Sequence, residues 1–198
     1  MKFKKKTLES KHIKLEPLEP KHKEELKEAI LDGELWKLFV TVVPPIEELD
    51  DFFENAQKEY ETDFGITYAI VDKKSNRVVG STRFRETNFR HNKTEIGFTF
   101  LGKSWQKSYV NTEAKLLLLT YAFEEMKFNR VELLTDFLNH TSRNAILRLG
   151  AKQEGILRSH MVMPNGRVRD SVIFSIIIHE WLGVKEHLEF KLKSMVEI

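Results

Sequence analysis

Residues 94–138, TEIGFTFLGKSWQKSYVNTEAKLLLLTYAFEEMKFNRVELLTDFL, constrain the fold more than any other part of the chain. TEIGFTFL reads as a strand. Ala114, Leu117, Leu118, Tyr121 and Ala122 then repeat at helical spacing, and Leu116, Leu119 and Phe123 widen the stripe. A helix apolar over so much of its surface packs on several sides. RVELLTDFL follows as a buried strand. Strand, buried helix, strand is a crossover unit, so its two strands are parallel neighbours in one sheet.

The flanking sequence extends that sheet. HIKLEPL alternates at Ile13 and Leu15 and reads as a short strand. Pro20 opens a helix where its missing donor costs nothing, and Gly33 stops it. TVVPP is extended, because residues before proline avoid helical dihedrals. Leu49, Phe52, Phe53, Ala56 and Tyr60 mark a second helix. Strands around Tyr68–Ile70, VVGSTRFRET and TEIGFTFL, separated by the polar turns DKKSN and RHNK, form an antiparallel meander. After the crossover, Asn139, Thr141 or Ser142 caps a short helix that Gly150 ends. GILRSHMVM and VRDSVIFSIII form a hairpin across Pro164-Asn165-Gly166, and a last helix starts near Glu180. The expected fold is α/β with a mixed, largely antiparallel sheet and helices on both faces. It forms one domain over 1–198, with residues 1–10 flexible or weakly ordered.

Composition removes several function classes. There is no cysteine, hence no disulfide, thiolate metal site or cysteine nucleophile, which suits a cytoplasmic location. A hydrophobic fraction of 41% with 31% charged residues is that of an ordinary soluble globular protein. No apolar run is long enough for a membrane span, and the basic N-terminus lacks the apolar segment of a secretory signal. A net charge of +2 argues against nucleic acid as a partner; Lys2, Lys4, Lys5 and Lys6 read as a solvated terminus. His22, His91, His140 and His179 lack ligand spacing, so no metal site is expected. GxSxG and Walker motifs are absent from the sequence.

The chemistry concentrates where TEIGFTFL runs through a polar loop into the crossover helix. A helix start presents unpaired amides and the positive end of its dipole, which together suit a diphosphate. Lys103 and Lys107 add charge, Asn111 or Thr112 can cap, and Glu113 sits in the first turn. The same features fit an ordinary capped helix.

From His12 to Trp181 the element order and local strings resemble the GNAT superfamily of N-acetyltransferases, nearest its Rim-type branch, which acetylates ribosomal-protein N-termini. That superfamily holds the CoA diphosphate on a loop reading Gln/Arg-x-x-Gly-x-Gly/Ala. Gln106 matches its first position; Tyr109 and Asn111 stand where small residues are usual. Glu113-Ala114 and Asn139-x-x-Ser142 with Leu149-Gly150-Ala151 match the Rim-type pattern, whose Asn and Ser lie near the pantetheine and thiol. The resemblance implies acetyl-CoA as cosubstrate, with contacts from Phe98, Thr99, Phe100, Gln106, Lys107, Ser108, Tyr109, Val110, Asn111, Thr112, Asn139, Ser142 and Arg143. The acceptor is an amine, either small or a peptide N-terminus. A homodimer is a further expectation.

Direct attack of a neutral amine on the thioester needs a base, an oxyanion donor and a proton for the thiolate. Glu95 is the first candidate base, or else a strand residue salt-bridged to Arg83 or Arg85. Asp170 is the second, as base or anchor for a cationic acceptor, or else a partner of Arg169 or Arg167. Many members of the superfamily carry a Tyr acid where this chain has Ile146, so Ser142 or Asn139 is assigned to the thiolate. Trp36, Phe39 and His160 are candidates for the acceptor pocket. The altered loop and absent Tyr leave a second reading open: a fold that binds CoA without catalysing transfer.

Overall fold

The computed structural model describes residues 2–196; residues 1, 197 and 198 of the expected domain lie outside them. The strands are β1 (Leu8–Glu9), β2 (Ile13–Pro17), β3 (Ile66–Asp72), β4 (Arg77–Asn88), β5 (Lys93–Leu101), β6 (Arg130–Asp136), β7 (Lys152–Val162) and β8 (Val168–Ile177). They form one eight-stranded sheet in the order β1-β2-β3-β4-β5-β6-β8-β7. Helices α1 (Lys23–Leu31) and α2 (Leu49–Glu61) precede the meander, and α3 (Tyr109–Thr120) is the crossover helix. α4 (His140–Arg148) and α5 (Trp181–Val196) follow.

At its centre the sheet is buried on both faces, whereas the edge strand β7 is largely exposed. Along β3, Ile66, Tyr68 and Ile70 join a core with α3 residues Val110, Ala114 and Leu118 and α5 residues Val184 and Leu188. The alternate residues Ala69 and Val71 join a second core with Leu26 and Ile30 of α1 and Leu49 and Phe52 of α2. This is the period-two alternation of a strand with helices on either side.

The N-terminus differs from the expectation of a loose segment. Phe3 is only 1% exposed and stacks on Phe84 with ring centroids 5.2 Å apart. Leu8 is buried too, and β1 pairs with β2. The lysines around Phe3 dominate the local composition, but burial of one large aromatic ring is worth about 2–3 kcal/mol and ties the segment down.

The parallel pair is β5 with β6, and its pairing is short. Lys93, Thr94 and Glu95 face Arg130, Val131 and Glu132. Beyond Glu95 the strands part: β5 stays on β4 as far as Leu101, and β6 stays on β8 through Asp136. The sheet is therefore splayed open along the second half of this pair.

Candidate active site

The splay opens a cleft of about 870 Å³. Its walls are β5 from Glu95 to Leu101, the start of α3, β6 from Leu133 to Thr135, the start of α4, and the segment after α1. A volume of this size accommodates a large cosubstrate together with a second small molecule.

At one end stands the N-terminus of α3. Ser108 is the cap: its Oγ accepts from the Val110 amide at 3.3 Å and donates to the Trp105 carbonyl at 2.6 Å. The helix thus begins three residues earlier than a cap at Asn111 would place it. Lys107 carries the left-handed backbone, with φ of 58°. Tyr109 and Asn111 are helical, so neither needs the conformational freedom of glycine. The Tyr109 ring turns away from the cleft, where its hydroxyl donates to Asp72 Oδ1 at 2.7 Å. The loop amides thus remain open even without the usual small residues. Gln106, Lys107, Ser108, Asn111 and Thr112 all line the cleft. Val110 instead points into the core, and Glu113, in the second turn, is a buried acceptor for the His12 amide at 3.1 Å.

Midway, β5 bulges. Thr82 of β4 stands opposite both Phe98 and Thr99, and Phe98 has φ of 46°. Bulges of this kind re-aim backbone and side chains beside sites. Lys115 of α3, 5% exposed, reaches this bulge. Its Nζ donates to Thr99 Oγ1 at 2.5 Å and Thr82 Oγ1 at 3.3 Å. No carboxylate pairs with it among the described residues, and burial lowers its pKa to about 7. Sequence reasoning passed over Lys115; the signal was one cation inside an otherwise apolar helical run.

Glu95 closes the floor where β5 and β6 part. It is buried, and Arg85 Nη1 donates to it at 3.3 Å. Both alternatives for Glu95 thus hold geometrically: it faces the cleft and it pairs with Arg85. Burial raises its pKa, with Arg85 acting against that shift. Gly97 leaves room beside it, since a Cβ there would stand 2.7 Å from Glu95 Oε1.

At the start of α4, Asn139 is the cap, accepting from the Ser142 amide at 3.0 Å. The Ser142 hydroxyl has no hydrogen-bond partner among the described residues and lines the cleft beside Thr141, Asn144 and Ala145. Arg143 lies off the cleft, donating to the Phe137 carbonyl at 3.1 Å.

The acceptor end is built differently from the expectation. Leu35, Leu38 and Val40–Val43 line the cleft. Trp36 packs against the α1–α2 core. Phe39 is 59% exposed and sits under the Arg167 guanidinium. Leu35–Lys37 form a short 3-10 turn, which points Leu35 at the cleft and Trp36 away from it. His160 does line the cleft, with Nδ1 3.0 Å from Ser171 Oγ. Asp170 does not: its Oδ1 accepts from the Ser159 amide at 2.7 Å and holds a bulge in β7. The arginine pairing expected of Asp170 falls to Asp136, which binds Arg167. Arg169 was read only as a neighbour of Asp170, yet it is the cleft-lining member of that pair.

A sheet splayed at its parallel pair, with a donor-rich helix start at the opening, defines an acyltransferase of the GNAT class. The chain belongs to that family: the model for the acetyltransferase (GNAT) domain matches residues 12–152. It is similar to a GCN5-related N-acetyltransferase from Brucella melitensis, at 30% identity and a TM-score of 0.86, covering 97% of this chain and 87% of that one. It is also 28% identical over 181 residues to a Bacillus subtilis (strain 168) protein named "Putative ribosomal N-acetyltransferase YdaF", covering 89% of this chain and 97% of the relative. The ribosomal L7/L12 acetyltransferase RimL shares the fold, with a TM-score of 0.78 at 18% identity over 87% of this chain and 94% of that one.

Proposed function

We propose that this N-acetyltransferase takes its acetyl group from acetyl-CoA and passes it directly to a primary amine within a ternary complex. The observation that carries this reading is the continuity of the cleft, from the open amides of α3 to the buried carboxylate of Glu95. The first amides of a helix lack intrahelical acceptors, and here only the Val110 amide is taken by the cap. The others, with the helix dipole and Lys107, fit a diphosphate. The pantetheine arm then runs along the open edge of β5, and the thioester lies near the bulge at Phe98.

The amine enters beside Leu38–Val43 and His160. Glu95, its pKa raised by burial, accepts the proton that the attacking ammonium must lose, directly or through water. A backbone amide on the splayed edge of β5 holds the developing oxyanion. The Ser142 hydroxyl donates to the departing thiolate, while Asn139 keeps the helix start in place.

The test is thiol release from acetyl-CoA in the presence of amino acids, polyamines, aminoglycosides and peptides with free N-termini. Release that depends on the amine, with one acetyl group appearing on it per thiol, is the expected result. Tight acetyl-CoA binding with no turnover across the panel would leave only the cosubstrate site standing.

A further inference from the structure

Four arginines on the strands have carboxylate partners: Arg77 holds Glu28, Arg83 holds Glu59, Arg85 holds Glu95, and Arg130 holds Glu132 and Glu154. Arg167, just before β8, holds Asp136. Arg158 of β7 is exposed to solvent, and Arg169 is the buried arginine that breaks the pattern. It is 8% exposed, and its Nε donates to Ser171 Oγ at 2.9 Å. Its two terminal nitrogens have no acceptor among the described residues, although the side chain lines the cleft. The carboxylates of Asp136 and Glu95 act on it through space without bonding it, and a guanidinium this buried is costly when its donors lack acceptors. Its planar fork matches a carboxylate with two parallel hydrogen bonds.

The surroundings say which ligand would bring that carboxylate. Arg167 lies just before β8 and Arg169 is the second residue of that strand, so both belong to the strand's opening end. Arg167 reaches the Phe39 carbonyl, after α1, at 3.0 Å. That end of β8 therefore lies at the acceptor end of the cleft, where Arg169 lines it together with His160. Ser171 fixes the fork: its Oγ is shared between Arg169 Nε and His160 Nδ1. Glu95 lines the same cleft and supplies the opposite charge.

We propose that the acceptor is an amine whose own molecule carries a carboxylate, held by the terminal nitrogens of Arg169 while its amino group is presented toward Glu95. A free α-amino acid, or a peptide with an acidic side chain near its N-terminus, has this chemistry. The inference rests on the transfer reaction proposed above.

The experiment compares acceptors that differ only in that charge, using the whole chain. Initial rates with acetyl-CoA are measured for amino acids against their amides, and for dipeptides with Glu or Gln in second place. Charge-assisted hydrogen bonds are worth about 1.5–3 kcal/mol, which is roughly a ten- to hundredfold change in kcat/KM. The acid is expected to exceed its amide by that factor. Arg169→Met should remove the preference, so that acid and amide react at the same rate, and Arg169→Lys should restore part of it. Preference among free amino acids points to the small-molecule source, and preference confined to Glu dipeptides to the peptide source. Equal rates for acid and amide in the native chain overturn the proposal, and that comparison needs no variant to fold. If no amine is turned over, the transfer reading has failed, and titration of N-acetylglycine into the CoA-saturated protein decides the carboxylate site. Affinity that falls at least about tenfold in Arg169→Met upholds it; equal affinity, or no binding to the native protein, overturns it.

Discussion

Glu95 and Lys115 are buried and face the cleft, and burial moves each toward its uncharged form. The Glu95 carboxyl rises, so a proton can pass to and from it nearer neutral pH than for an exposed glutamate. Glu95→Gln keeps the shape but cannot take a proton. Turnover should fall by about 10²–10⁴ while acetyl-CoA affinity measured by calorimetry stays as it was. Undiminished turnover would remove Glu95 as the base. Lys115 moves the other way, from 10.5 down to about 7. Between those values the unfolded chain binds more protons than the folded one, so stability rises with pH across that window. From pH 7 to pH 9 the native protein should gain about 2 kcal/mol from this group, and Lys115→Met should lose that gain. Urea midpoints at the two pH values read the difference; parallel slopes for both proteins would mean that Lys115 is charged in the fold.

At the scale of elements, the start of α3 does the binding in this account, and its charge sets the affinity. Asn111→Asp keeps a good helix-start residue but places a negative charge on the cleft wall. Acetyl-CoA should bind more weakly, by roughly tenfold or more, with the helix content by circular dichroism unchanged. Unaltered affinity would put the diphosphate elsewhere. Much of this element was legible in the sequence: the apolar stripe from Ala114 to Phe123 fixed the helix, and Gln106 marked the loop. The cap was not, because Ser108, Asn111 and Thr112 are all competent caps. The choice among them depends on the turn ending at Trp105, whose carbonyl takes the Ser108 hydroxyl. Tyr109 stands where a small residue is usual. Its actual place depends on Asp72, thirty-seven residues away, which no local pattern reveals.

For the whole molecule, the crossover unit dictates a parallel pair, which holds only from Lys93 to Glu95 against Arg130 to Glu132 before it opens. The order of strands, the final hairpin and the helices on both faces follow from alternation and turn chemistry visible along the chain. The acceptor end was the least legible part. Its walls come from the segment after α1, from β5 and from β7–β8, which are far apart in sequence. Large aromatics such as Trp36 and Phe39 drew the eye there, yet Trp36 packs on the α1–α2 core, Phe39 is exposed, and their smaller neighbours line the cleft. Likewise Asp170 and Arg169 are adjacent, and only the pleat of β8 decides which one faces the cleft. The central claim is that the divergence of β5 from β6 beyond Glu95 makes the acetyl-CoA site. A crystal structure of the whole chain with acetyl-CoA tests it most directly. The account predicts the diphosphate on the amides at the start of α3 and the thioester between the bulge at Phe98 and Ser142. A cosubstrate bound elsewhere, with β5 and β6 drawn together over Glu95, would contradict it.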